Sequence, residues 1–332
     1  MLTTTKTIGI LIYPGCLRSG AIVPMDVFAI ANRLSQLRAN APQVKLQAQW
    51  ISARPGSHVQ VDGLDFPTQP VDPDALDALM LPGVDHQELT ELTHKLDQLT
   101  PELAMISAFS RTGKPLISSC SSTCLVARTG MLDGKRATTS WWLSAYFRKQ
   151  FPKVLLDVEK LVVQDGNNIS SGGVTSYLDL ALCLVGHFAG EPLRQMTSKI
   201  LILDSHRASQ APYIAEAMIQ SDGHALIERA RHWINQRLDQ PWTMSELAEY
   251  CNTSPRTLLR RFQVVLGVNP TLYTQQLRVE RAKALLETTH LSLDAITSRC
   301  GYEDVSTFSR VFKRWAQLTP REYRSRFGLR QF

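Results

Sequence analysis

The sequence predicts an α/β domain followed by an all-α domain of seven helices, and three observations carry that prediction. Over the first 200 residues, short β-branched or apolar runs alternate with amphipathic stretches, the rhythm of βαβ units and a mostly parallel sheet. Beyond residue 223 every segment reads as helix. Charge divides at the same place: residues 1–222 hold 19 Lys+Arg against 20 Asp+Glu, whereas residues 223–332 hold 17 against 10.

A chain of 332 residues exceeds one ordinary core, so two domains are expected. Its 44% hydrophobic and 20% charged content is that of a globular protein. No apolar run approaches the ~20 residues that cross a bilayer, and the first residues lack a signal-peptide pattern. A cytoplasmic protein with no membrane partner is therefore expected. Cys16, Cys120, Cys124, Cys183, Cys251 and Cys300 form no C-x-x-C pair, so neither zinc nor a disulfide framework is indicated. No cofactor is expected. The basic last third fits polyphosphate binding, and equally an ordinary solvated surface.

Taken in order, strands are expected at 7–13, 46–52, 78–81, 115–119, 155–159 and 161–164, with a short one at 169–170. The Asp165-Gly166-Asn167 turn signal makes the last two a hairpin. Helices are expected at 24–39, 87–99, 102–112, 123–129, 140–150 and 175–188. The pattern weakens into a turn-rich stretch, so the domains are set at 6–202 and 224–328 with a linker at 203–223. The second domain reads as helices at 225–238, 244–251, 255–266, 270–288, 293–299, 305–316 and 320–327.

That second domain contains an internal echo. Glu246–Cys251, a turn and Arg256–Phe262 lead to Asn269-Pro270; about fifty residues on, Ala295–Cys300, a turn through Gly301 and Ser306–Phe312 lead to Thr319-Pro320. Each copy is a helix-turn-helix, near 244–266 and 293–316, whose second helix fits a major groove about 12 Å wide. Leu258 and Phe262 pack inward at i, i+4. Arg256, Thr257, Arg260 and Arg261 are then left on the first reading helix, and Ser306, Thr307, Ser309, Arg310 and Lys313 on the second. An isolated helical arginine is ordinarily a solvated charge, but Arg260 and Arg310 recur at equivalent places. Both a bidentate base contact and a phosphate clamp fit them. The helix over 270–288 spans roughly 28 Å, which with its flanking turns suits heads one DNA turn, ~34 Å, apart.

The motifs S-x-R-x-L-x-R-x-F with G-x-N-P, then C-G-Y-x-D-x-S-x-F-S-R-x-F-K-R with T-P-x-x-Y-R, resemble the DNA-binding domain of AraC/XylS-type regulators over residues 225–327. One departure is Gln317, where the second copy usually has glycine.

In the first domain, the strand over 115–119 runs into Cys120 at the start of a helix. A thiol at such a corner feels the helix dipole, which lowers its pKa, and this is the place for a nucleophile. An inert buried thiol fits Cys120 as well. With Gly15, Pro24–Phe28, Leu81-Pro82-Gly83, Gly130–Thr139 and Gly172–Thr175, the corner resembles the class-I glutamine-amidotransferase-like (PfpI-type) domain of GlxA-type AraC regulators. The resemblance covers roughly residues 6–200 and implies a flavodoxin-like sheet.

Catalytic members of that superfamily pair the cysteine with histidine and an acid. Here Ser140 stands where the histidine would be, and Gly20 where an acidic residue would precede the Pro24–Val27 segment. No catalytic residue is therefore expected. Gly83, Cys120, Ser121, Ser140 and Trp141 are the effector-pocket candidates on superfamily position, although Trp141 and Trp142 fit a core as well. No metal site is expected.

The combined resemblance implies a sequence-specific transcription regulator, an activator by default, bound to promoter or operator double-stranded DNA. Its implied partners are a small-molecule effector, a nitrogenous metabolite by family habit, RNA polymerase, and a second copy in a homodimer. The alternative is an active PfpI-like cysteine hydrolase or redox enzyme fused to a DNA-binding domain.

Overall fold

A computed structural model describes residues 3–37, 43–203, 209–214 and 225–329. The chain divides into two compact units, residues 1–210 and 211–332. In the first, ten strands follow in order: β1 Thr4–Leu11, β2 Val44–Ile51, β3 His58–Val61, β4 Leu64–Pro67, β5 Ala78–Leu81, β6 Leu116–Ser119, β7 Arg136–Ala137, β8 Leu155–Leu156, β9 Val162–Asp165 and β10 Asn168–Ser171. Six make one sheet in the order β2-β1-β5-β6-β10-β9, parallel except for β9, which pairs antiparallel with β10. Inside the sheet, β5 is apolar throughout and β1 is apolar over Ile8–Leu11, while β6 runs from Leu116-Ile117 into Ser118-Ser119; the β5 and β6 side chains are all buried. The expected α/β class and its closing hairpin are found, with Gly166 at φ +59° in the turn.

Among the described residues, seven α-helices accompany the sheet: α1 Arg18–Gln36, α2 Leu89–Gln98, α3 Thr100–Ser110, α4 Thr123–Arg128, α5 Ser144–Gln150, α6 Tyr177–Ala189 and α7 Glu191–Ile200. Several differ from expectation. Helix α1 starts at Arg18, with Pro24 inside it instead of at its first turn. The turn gained buries Gly20 and Ala21, which offsets the hydrogen bond that proline removes. The expected end of that helix at residue 39 lies outside the described residues. The strand expected over 155–159 shrinks to β8, which pairs with β7 apart from the main sheet. Helix α7, which begins after Gly190 with Pro192 in its first turn, is not among the expected elements. The β3–β4 hairpin was also missed, despite an Asp62-Gly63 turn with φ +46° and +81° that only such residues accept easily.

The second unit holds the seven expected helices: α8 Ala225–Asn235, α9 Met244–Tyr250, α10 Pro255–Leu266, α11 Pro270–Thr288, α12 Leu293–Arg299, α13 Val305–Ala316 and α14 Pro320–Phe327. The six helices from α9 onward each begin on a side-chain N-cap, Thr243, Ser254, Asn269, Ser292, Asp304 and Thr319 in turn. Such caps satisfy orphan N–H groups and contribute about 1 kcal/mol each. The caps repeat with the echo in the sequence, and Thr243 and Thr319 both close capping boxes, with Glu246 and Glu322.

Two apolar cores result. Ile227, Trp233, Leu247, Leu258, Phe262 and Tyr273 fill the first; Ile296, Phe308, Phe312 and Tyr323 fill the second. Helix α11 serves both, contributing Leu277 to one and Val279, Ala282 and Leu286 to the other. At the end of α10, Gly267 takes the left-handed conformation at φ +72°; at the equivalent end of α13, Gln317 takes it at φ +56°. A side chain there is strained, and a bond from Gln317 Nε2 to Arg314 O at 2.9 Å recovers part of the cost. Gln317→Gly should therefore raise stability by about 0.5–1 kcal/mol, read as a higher melting temperature; an unchanged or lower one would show that the left-handed end carries no strain.

Candidate functional site

The C-terminal ends of β5, β6 and β10 carry Pro82-Gly83, Cys120 and Gly172-Gly173, the edge of an α/β sheet where ligands bind. Cys120 sits at φ +56°, a conformation costly for a residue with a side chain. Its neighbours fix it there. The Ser122 hydroxyl accepts from Ser119 N–H at 2.9 Å and reaches Leu81 O at 2.9 Å, and the Thr139 hydroxyl donates to Cys120 O at 2.7 Å.

Ser140 Oγ donates to Cys120 Sγ at 2.8 Å and accepts from Gly173 N–H at 3.0 Å. The serine therefore contacts the thiol from the histidine's expected sequence position, but a hydroxyl is no base at neutral pH. Gly20 has no room for an acid: a Cβ there would fall 2.6 Å from the Tyr177 ring and 2.8 Å from Pro82. Tyr177 fills that space and accepts from Gly83 N–H at 2.8 Å.

Burial pushes the Cys120 thiol above its ordinary pKa, and the Ser140 hydrogen bond only partly opposes it. The expectation that the helix dipole lowers this pKa is corrected. Cys120 is 2% exposed, and the helix beyond it, α4, is only six residues long, so desolvation wins.

The five pocket candidates fall into two groups. Cys120 and Ser140 touch directly, and Trp141 follows with its N–H on the Gln210 side chain at 3.2 Å. Ser121 turns the other way, exchanging bonds with Val84 N–H at 2.8 Å and Val84 O at 2.7 Å beside Gly83. Trp141 is 8% exposed and stacks edge to face on Trp142 at 5.3 Å, a core placement in part. Sequence reading missed Tyr177 and Gln210. The first opens a helix straight after the Gly172–Thr175 motif, which is a usable signal; the second lies in a turn-rich stretch and gives none.

In the helical unit, Arg256, Arg260 and Arg261 are exposed on α10, as are Ser306, Arg310 and Lys313 on α13, while Thr257, Thr307 and Ser309 are half-buried. Leu258, Phe262, Phe308 and Phe312 are fully buried on the opposite faces. Among the described residues, Arg256, Arg260, Arg261 and Lys313 make no salt bridge. Thr257 and Thr307 place their N–H groups on the caps Ser254 and Asp304, at 3.2 and 2.7 Å. Their backbones thus serve the helix start.

A sheet of this order followed by paired helix-turn-helix units defines a two-part protein, and comparison with known families gives the same division. Residues 6–187 match the DJ-1/PfpI family and residues 247–326 match a helix-turn-helix domain. The chain belongs to the DJ-1/PfpI family and carries an AraC-type helix-turn-helix domain after it. The HTH-type transcriptional regulator GbdR of Pseudomonas aeruginosa is 29% identical over 223 residues, 67% of this chain and 60% of that relative. The chain thus spans less than two thirds of that relative's length. The regulator CdhR of the same species is 28% identical over 69% of each chain. A ThiJ/PfpI family protein from Pseudomonas syringae shares the fold, with a TM-score of 0.50 and 21% identity over 65% of this chain and 86% of that one.

The thiol's environment has a measurable consequence. In the native chain Cys120 should alkylate far more slowly at pH 8 than in the unfolded chain, by peptide-resolved mass spectrometry. Ser140→Ala should lower its thiolate fraction a further tenfold or so, because a charged acceptor loses its donor. Alkylation as fast as that of a free cysteine would contradict this account.

Proposed function

We propose that this protein is a sequence-specific DNA-binding transcription regulator whose α/β unit binds a small-molecule effector and performs no catalysis. The observation that carries the reading is the repeat itself. Two capped helix-turn-helix units each have their own core, and each presents an arginine, Arg260 or Arg310, at the same exposed place on its second helix. The exposed cations Arg256, Arg260, Arg261 and Lys313, which make no salt bridge among the described residues, suit phosphate or guanine contacts, with Ser306, Arg310 and the half-buried Thr257, Thr307 and Ser309 on the same helices. The regulator names of the relatives support the same assignment.

Against catalysis stand a serine in the histidine's place, a tyrosine filling the acid's space, and a thiol held neutral by burial. Cys120, Ser140, Trp141, Gly83 and Ser121 are then binding or supporting groups around the effector. Activation through RNA polymerase, a homodimer and a cytoplasmic location complete the proposal. No described helix is long and apolar enough to cross a membrane. An effector shifts promoter occupancy only if it binds one state of the protein better than another.

The test is a promoter-retardation assay. The protein should prefer its operator over random duplex by about 10³ or more. Arg260→Ala and Arg310→Ala should each cost about 1–3 kcal/mol on the operator and relax preference locally. A uniform loss on all duplexes, with a shallower salt slope, would make them phosphate clamps. Amide or glyoxal turnover that disappears in Cys120→Ala would overturn the non-catalytic reading.

A further inference from the structure

Gln210 is 3% exposed, although it stands in a stretch whose composition suits a solvated linker. Its carboxamide is held at both ends. Oε1 accepts from Trp141 N–H at 3.2 Å, while Nε2 donates to Thr139 O at 2.8 Å and to Thr138 Oγ1 and Lys160 O at 3.3 Å each. The backbone follows suit: Gln210 N–H and Ser209 Oγ both donate to Glu159 O, at 2.9 and 2.8 Å. Gly172 provides the floor, since a Cβ on it would lie 2.4–2.7 Å from the carboxamide atoms.

This recess adjoins the Cys120 corner. Thr139, whose carbonyl takes the amide, places its hydroxyl on Cys120 O; Ser140, next along, holds the thiol. One N–H donor facing three oxygen acceptors is the complement of a primary carboxamide. A carboxylate of the same shape would set an anionic oxygen against the Thr139 and Lys160 carbonyls with no proton to share, and burial makes that costly.

We propose that this recess is the amide-recognition subsite of the effector pocket, filled here by Gln210 as a tethered occupant, and that a ligand ending in a primary amide or ureido group binds by displacing it. The inference rests on the effector-controlled reading above and adds the chemical class of the effector. It also supplies a route to the helical unit. The next residues, Ala211–Tyr213, form a turn bound within that unit. Lys283 Nζ donates to Ile214 O at 2.8 Å, Arg326 donates to Tyr213 Oη at 3.0 Å, and Tyr213 stacks on Phe327 at 5.4 Å. Consecutive residues are therefore anchored in different units, and release of Gln210 adds free chain directly before the DNA-binding unit.

The test uses the full chain labelled with 15N-tryptophan, read at the Trp141 amide, and titrated with propionamide, L-glutamine and, as the isosteric control, propionate. A pocket filled nine-tenths of the time by its tethered group shows a free ligand about tenfold weaker affinity than an open one. Gln210→Ala should therefore bind propionamide and L-glutamine about tenfold more tightly than wild type, and propionate should not bind. Gln210→Glu, which keeps the side chain's size but cannot satisfy the acceptors, should show the same gain. Adding Gly172→Ala to Gln210→Ala should abolish binding while the protein stays folded by circular dichroism. Equal amide affinity in wild type and Gln210→Ala, no amide binding by folded Gln210→Ala, or propionate binding as well as propionamide would each overturn the proposal. Operator retardation is measured on the same samples. Intact retardation without amide binding would remove the amide subsite alone, whereas amide binding without retardation of any promoter would remove the regulator reading alone.

Discussion

Helix α11 is the constraint on which the paired helix-turn-helix architecture depends. Leu277 packs into the core of the first helix-turn-helix and Val279, Ala282 and Leu286 into that of the second, so a single rigid element fixes the separation of the two heads. Both cores therefore share one helix as a wall. Stability and geometry are therefore coupled: whatever loosens α11 loosens both cores and the spacing between them.

The α/β unit has an analogous point at Cys120. A left-handed backbone at a non-glycine residue persists only when its surroundings over-determine it, and here Ser122, Thr139 and Ser140 hold it from three directions. The same shape that lifts a nucleophile into a catalytic cleft now presents a neutral thiol bonded to a serine. Tyr177 occupies the room an acid would need and uses its hydroxyl to fix Gly83. What remains is a buried, hydrogen-bonded corner, the setting from which the recognition role is proposed.

Gln210 brings these two halves of the molecule to one place in the chain. It is a buried polar side chain satisfied on every side, and the residue after it belongs to the other unit. On the proposal above, the Gln210 contact is the closed state of a switch. A linker of merely suitable length would carry no information between the parts.

The amino-acid sequence alone determined the helical unit almost residue by residue. Five helices, from α10 to α14, run over the residues that their period, caps and prolines mark, because local signals suffice where helix starts are N-capped and ends carry left-handed residues. It also determined the sheet class, and it marked Gly20 and Ser140 as the positions where this corner departs from the superfamily's catalytic pattern. Tertiary structure decided the rest. The true start of α1, the retreat of the 155–159 strand into a two-residue pair, the raised thiol and the burial of Gln210 all depend on what a residue packs against. Those contacts join positions such as 20 with 177 and 139 with 210, too far apart along the chain for any local pattern to record them.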